Sequence, residues 1–359
     1  MDLNIIGGGI AGLTCAIKLA EAGKTVEVFE KQDFIGKSEG ENLKAIRNYD
    51  VKIDLIEYLK KNNIDLKNVK PIDKITKYSP TGKKMTVTSD NGPLFYILKK
   101  GHDEKSVDYE LYEHALNHDV KIRFGQNKII TDGDVISVNT IYRNIWAHGA
   151  MYSDVDVDES EILFFMDNNY APQGYIYGMP FGKHQFCLGS VSFDLNCALP
   201  ILFRRFITEN SVISKILENA TLTNHYGGFA YSNIPETAVI NKKLFIGSAA
   251  GFIDPARGFG VKYAFQSAIL AANALTNNLN YDTLWKTEFR AELIDGYKRR
   301  LLLEKMSNAD YEKLIIDEKV SIKNYEKIPF GLQNLFKKIE LSVELNSLKQ
   351  KYDLTKLFR

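Results

Sequence analysis

The first thirty residues pass through three hydrophobic patterns. Residues 2–6 read as a short buried strand carried by Leu3, Ile5 and Ile6. Residues 10–22 have helix-forming composition, with Leu13, Ile17 and Ala20 on one stripe and Gly23 as the stop. Residues 25–29 form a second strand that closes on Glu30. A polar, glycine-bearing loop is expected over 31–43, then a helix over 52–62, where Ile53, Leu55, Ile56 and Leu59 fall near helical spacing. From 74 to 99 the period drops to two. Strands at 75–78, 85–88 and 94–98, with turns at 80–82 and 91–93, read as an antiparallel meander. A helix over 109–118, a strand over 120–124, a turn at 132–134 and a strand over 135–138 follow. Several strands run in succession from 150 to 191, and the alternating Asp and Val of 154–159 read as a half-exposed edge strand. Helices resume over 199–218. A later strand ends at Gly247, and Gly258-x-Gly260 opens a long helix through Leu275.

These elements imply an α/β chain. A discontinuous Rossmann-like domain takes residues 1–73, 100–149 and 233–280. An antiparallel β substrate domain takes 74–99 and 150–232, and a helical region takes 281–359. Near the end, Leu332, Leu335, Phe336 and Ile339 make a helical stripe beside Lys337 and Lys338. It reads first as a helix packed on the core, and second as a surface helix dipping into lipid.

Composition narrows the classes. With 46 Lys+Arg against 45 Asp+Glu, the chain has no bulk electrostatic attraction to nucleic acid. No apolar run is long enough to span a bilayer, and the N-terminus enters a strand without a basic n-region. Cys15, Cys187 and Cys197 lack CxxC spacing, which suits a reducing compartment and offers no zinc site. The expectation is a cytoplasmic protein, with peripheral membrane contact as the extension.

The chemistry concentrates at two glycine turns. Gly7-Gly8-Gly9-Ile10-Ala11-Gly12 is a GxGxxG sequence set between strand and helix. Gly7 makes the tight turn, Gly9 lets a pyrophosphate reach the backbone, and Gly12 allows close packing of helix on strand. The helix start offers N–H groups and a positive dipole end to phosphates. Glu30, eighteen residues past Gly12, can accept from ribose hydroxyls, and an acid there disfavours a 2′-phosphate. The second turn runs from Gly247 through Asp254 to Gly258 and Gly260. It again brings a helix N-terminus to a position where it can face a ligand oxygen or an anionic flavin ring.

Together these stretches resemble the flavin-dependent geranylgeranyl reductase family, within the group shaped like para-hydroxybenzoate hydroxylase, over residues 1 to about 300. The resemblance rests on three motifs: the N-terminal glycines with Glu30; Gly247-Ser248-Ala249-Ala250-Gly251 with Asp254-Pro255 and Gly258-x-Gly260; and Tyr175-Ile176-Tyr177-Gly178-Met179-Pro180, followed by Gly189. It implies FAD as cofactor, held by Gly7, Gly9, Ile10, Ala11, Gly12, Glu30, Lys31, Gly40, Glu41, Gly247, Ser248, Asp254, Gly258, Gly260 and Val261. It also implies that Tyr175, Tyr177 and Phe181 line a substrate site. The implied activity is reduction of double bonds in a geranylgeranyl-type chain, with NAD(P)H or ferredoxin as outside reductant. The alternative is a monooxygenase or halogenase on the same scaffold. Several positions depart from the family pattern. Ser248 replaces Asp, Tyr177 replaces Trp, Val191 replaces a glycine, Glu39 replaces Cys, and Asp108 stands where many members have Arg.

Overall fold

A computed structural model describes residues 3–37, 40–49, 53–90, 92–126, 133–138 and 141–321. The chain opens with β1 (Leu3–Ile6), α1 (Ile10–Glu21), β2 (Val26–Phe29) and β3 (Asn42–Arg47). Then come α2 (Leu55–Lys61), β4 (Val69–Ile72), β5 (Lys74–Tyr78), β6 (Lys84–Thr88), β7 (Phe95–Lys100) and α3 (Val107–Leu116). Next are β8 (Lys121–Arg123), β9 (Val135–Ile136), β10 (Ile145–Ser153), β11 (Glu161–Phe165), β12 (Tyr175–Pro180) and β13 (Phe186–Ser192). After α4 (Leu199–Glu209) and α5 (Ser211–Ile216) come β14 (Thr221–Ala230), β15 (Val239–Ile240) and β16 (Lys243–Phe245). A short turn of helix at Gly247–Ala250, α6 (Val261–Asn277), α7 (Tyr281–Leu303), α8 (Asn308–Leu314) and β17 (Lys319–Ser321) complete the described chain.

The first sheet has the order β15-β16-β9-β1-β2-β8, and all its pairings except the edge pair β15–β16 are parallel. A parallel sheet must be covered on its faces. Helix α1 packs against both α6 and α3, and Leu13, Ile17 and Leu19 are fully buried. The first half of α7 joins the same core through Tyr281, Trp285, Phe289 and Leu293.

The eight-stranded sheet has the order β14-β10-β13-β12-β11-β5-β6-β17. It is antiparallel from β14 to β11, while β5 joins β11, and β17 joins β6, in parallel. Its inner face meets a three-stranded sheet, β3-β7-β4, across an apolar layer of Phe95, Ile97, Met151, Met179 and Cys187. Its outer face is covered by α4 and α5 through Phe203, Phe206 and Ile213.

The structure corrects two expectations. The third strand of the 74–99 meander leaves its neighbours: β7 pairs with β3 and β4 instead. Five of its six residues are buried, including Lys99 and Lys100, so it needs a partner on each side. The loop expected to run to residue 43 therefore ends at Asn42, where β3 begins. Residues 154–159 form no strand. Asp154 has a left-handed φ of 60°, and Asp158 accepts from the Ser160 N–H and hydroxyl. Side-chain bonds of this kind compete with a ladder. Residues 39, 91 and 132 and the 332–339 stripe lie outside the described residues.

Candidate functional site

The first glycine turn joins β1 to α1. Gly7 has φ of 105°, and a side chain at Gly12 would collide with the Gly7 carbonyl oxygen. Both glycines are thus required by the fold itself. Gly9 differs: its conformation is ordinary extended backbone (φ −82°, ψ −175°), and a Cβ there would meet nothing within 4 Å. The strand–helix geometry leaves Gly9 facing open space. At the end of β2, Glu30 Oε2 accepts from the Gly8 N–H at 2.8 Å and Oε1 from the Gln32 N–H at 2.9 Å. The acid anchors the turn and keeps a further lone pair on each oxygen. Lys31 is exposed in the turn after it.

The second turn approaches the first. A Cβ on Gly247 (φ 55°) would lie 3.1 Å from Ala11 Cβ, so the two motifs touch. The Gly247 N–H donates to Ser267 Oγ on α6 at 2.9 Å. Asp254 does not project outward. Its Oδ1 accepts from the Ala256 N–H at 2.8 Å, and its carbonyl accepts from Gly258 N–H at 2.8 Å. The Asp254 N–H donates to the Phe259 carbonyl at 2.9 Å, closing a compact loop that delivers Gly260 and Val261 to the start of α6.

Helix capping singles out this region. Side chains cap α2 (Asp54), α3 (Ser106), α5 (Asn210), α7 (Asn280) and α8 (Ser307). Helices α1, α4 and α6 have no side-chain cap. In α4 a proline in the first turn removes one N–H. Helices α1 and α6 instead begin on glycine, and their first N–H groups lack intrahelical acceptors. Beside Gly251, whose added Cβ would come within 2.5 Å of Asn233 Cβ, the Asn233 side chain is buried with neither polar atom bonded.

Strand β12 carries Tyr175 and Tyr177, two of the three aromatic residues expected to line a substrate site, and its inner face is the wall to which they belong. Tyr175, Tyr177 and Met179 alternate onto its inner face, and Phe181 continues that side just past the strand end. The Tyr175 hydroxyl donates to the Arg257 carbonyl at 2.6 Å, tying the wall to the second turn. Phe259 stacks edge-on against Phe95 of β7, with ring centroids 5.8 Å apart. Phe181 lies about 20 Å from Tyr175 at the strand's spacing, with Lys70 above its ring.

Sequence reading missed a feature of register. Tyr226 of β14 stands opposite Gly149 of β10, Gly149 opposite Gly189 of β13, and Gly189 opposite Tyr177 of β12. Across the two side-chain-free positions the phenols meet, with their hydroxyls 2.9 Å apart and Cys187 Sγ 3.0 Å from that of Tyr226. A Cβ on either glycine would collide with Tyr226. Burial, then the neighbouring Cys187, pushes both phenols well above their ordinary range, and burial pushes the Cys187 thiol up to about 11. All three stay protonated at working pH.

Gly40 (φ 65°) and Glu41 approach from the opposite side. The Glu41 carbonyl accepts from Asn224 Nδ2 of β14 at 2.8 Å, and its carboxylate lies 3.8 Å from Lys99. Asp108 is buried, 3.1 Å from Lys100 Nζ, and accepts from the Gly101 N–H at 3.0 Å. The positive charge at this corner therefore comes from β7, and the acid on α3 balances it.

A model of NAD(P)-binding Rossmann-like domains matches residues 5–55. A digeranylgeranylglycerophospholipid reductase of Methanocaldococcus jannaschii is 23% identical over 362 residues, covering 87% of this chain and 89% of that one. The chain is thus similar along most of its length to a protein named as a geranylgeranyl-type reductase. An uncharacterized protein of the same organism is 28% identical over 176 residues, covering 47% of this chain and 44% of that one. Among solved structures, a geranylgeranyl bacteriochlorophyll reductase-like protein from Thermoplasma acidophilum matches with a TM-score of 0.78 at 19% identity, covering 97% and 98% of the two chains. The myxobacterial halogenase CndH matches at 0.56 and 18% identity, covering 83% and 78%. These likenesses carry the fold. Among the described residues no helix is long and apolar enough to cross a membrane.

Proposed function

We propose that the chain is an FAD-dependent oxidoreductase that reduces carbon–carbon double bonds of an isoprenoid chain. One observation carries the cofactor reading: the two long helices that begin on glycine without a side-chain cap, α1 and α6, start from turns in contact through Gly247 and Ala11. One helix start suits a pyrophosphate and the other an electron-rich ring. The open space at Gly9 and the unbonded buried amide of Asn233 fit an extended dinucleotide with many acceptors and donors. In this reading Gly7, Gly9, Ile10, Ala11 and Gly12 hold the pyrophosphate and Glu30 the ribose. Gly247, Ser248, Asp254, Gly258, Gly260 and Val261 form the cradle of the ring, with Gly40 and Glu41 closing from β3 and Lys31 at the rim.

When bound and reduced, FAD supplies a hydride to an alkene carbon. The protein's part is position and protonation. Tyr175 fixes the second turn through Arg257, so wall and cradle move together. The apolar layer from Tyr175 to Phe181 offers about 20 Å of strand to lay out a polyprenyl chain and keep water from it. Tyr177 and Tyr226 keep their protons, and either can supply one to the second alkene carbon. The named reductase among the relatives supports the isoprenoid substrate. The outside reductant is NAD(P)H or ferredoxin.

The test has two stages. Purified protein should release FAD on denaturation. Anaerobic mixing of the reduced protein with a geranylgeranyl lipid should reoxidise the flavin and add two mass units per reduced bond. Reoxidation by oxygen with hydroxylated or halogenated aromatic product, and none with the lipid, would favour the monooxygenase reading of this fold.

A further inference from the structure

Helix α1 ends on Glu21 and packs against α3, whose last turn carries His114; His118 follows in the turn that closes α3. One ligand atom from each side chain lies within 4.8 Å of the others, and all three residues are half-buried. The His118 Nδ1–H donates to the His114 carbonyl at 3.0 Å. That bond fixes the tautomer and leaves the Nε2 lone pair free, 3.8 Å from Glu21 Oε1. Metal-bound histidines are held in this way by a bond from the remote nitrogen. The two imidazole rings lie 4.9 Å apart between centroids. The Glu21 oxygens divide their roles: Oε2 meets the Lys18 ammonium, which is anchored on the Asn62 carbonyl at 2.9 Å, while Oε1 faces His118. Ligands of a tetrahedral ion with bonds of about 2.0–2.1 Å stand roughly 3.3 Å apart, so a small side-chain movement closes the set.

We propose that Glu21, His114 and His118 bind a divalent transition-metal ion of the Zn2+ class, with water as fourth ligand. Two imidazoles and one carboxylate are a borderline donor set that favours Zn2+, Ni2+ or Cu2+ over Ca2+ or Mg2+. The site lies at the far end of α1 from the glycine turn, about 16 Å along the helix. The ion would clamp α1 to α3 behind the nucleotide site, and the proposal is independent of what that site binds.

The experiment uses untagged protein freed of metal by chelation and titrated calorimetrically with ZnCl2. The expected result is one ion per chain, with a rise in Tm that EDTA reverses, because the ion binds the folded chain selectively. His118→Ala should weaken zinc by about tenfold or more. Glu21→Gln keeps the carboxylate's shape and should weaken zinc similarly while leaving the metal-free Tm close to that of the parent. Zinc binding only in the millimolar range, or equal affinity in parent, H118A and E21Q, would overturn the assignment.

Discussion

Replacing Gly9 by Ser should move stability and cofactor affinity in opposite directions. Gly9 is the N-cap of α1, in extended backbone that any residue adopts, and a Cβ there meets nothing within 4 Å. Serine accepts from N–H groups in the first turn and is worth a few tenths of a kcal/mol over glycine at an N-cap. Losing the glycine also lowers unfolded-chain entropy, by about 0.4–1 kcal/mol at an unstrained site. The flavin-free variant should therefore gain on the order of 0.5–1 kcal/mol. FAD faces the reverse. The new side chain fills the space before Gly9 and occupies the N–H groups offered to the pyrophosphate. Loss of one charge-assisted hydrogen bond costs about 1.5–3 kcal/mol, or roughly 10- to 150-fold in Kd. Urea unfolding of the stripped proteins and fluorescence titration with FAD measure the two quantities separately. Wild-type affinity in Gly9→Ser would refute the pyrophosphate assignment. Loss of both affinity and stability would show that Gly9, like Gly12, serves the fold.

Other changes test neighbouring parts. Glu30→Ala should weaken FAD by about 1–3 kcal/mol in the same titration and also lower stability, because the Gly8 and Gln32 N–H groups lose their acceptor. Gly260→Leu should make the flavin potential more negative by about 10–40 mV, from a dipole contribution of about 0.3–2 kcal/mol. Spectroelectrochemistry reads that shift, and an unchanged potential in a folded, flavin-loaded variant would separate this turn from the ring. Native protein should show one accessible thiol with a disulfide reagent at pH about 8, namely Cys197; burial lifts Cys15 to about 12 and Cys187 to about 11. Fast labelling of Cys187, identified by mass spectrometry, would mean the apolar layer opens to solvent.

The parts of the fold that were legible in the sequence are local. The β1–α1–β2 unit is written in consecutive residues, because the tight turn at Gly7 and the close helix–strand packing at Gly12 each need a glycine within one short stretch. The Gly258–Gly260 turn was readable for the same reason. The three-stranded sheet was not. Its β3 strand pairs residue 42 with residue 100, and the apolar run that opens β7 reads the same whichever sheet it joins. Asp254 has a second role that a lone acid among glycines does not announce: its side chain and backbone close the turn on itself.

The Tyr226–Gly149–Gly189–Tyr177 row shows most clearly where reading ran out and why. Each residue alone is unremarkable: a glycine inside a strand signals close approach without saying of what. The row exists because sheet order puts β10 and β13 between β14 and β12 and because register sets all four residues in line. Ordinary side chains at the two middle positions would keep the phenols apart. With glycine at both, the rings lean inward and share a hydrogen bond over bare backbone. Gly189→Ala therefore acts on Tyr226 and Tyr177 at once. Its methyl must push both rings aside, at an overpacking cost of about 1–3 kcal/mol. Tyr226→Phe removes only the hydroxyl and keeps the packing. If the pair supplies the proton, both variants should slow reoxidation of reduced flavin by the lipid, and both should lower Tm, Tyr226→Phe because Tyr177 and Cys187 lose a buried partner. Normal reoxidation in the Tyr177→Phe/Tyr226→Phe double variant would assign the row to packing alone.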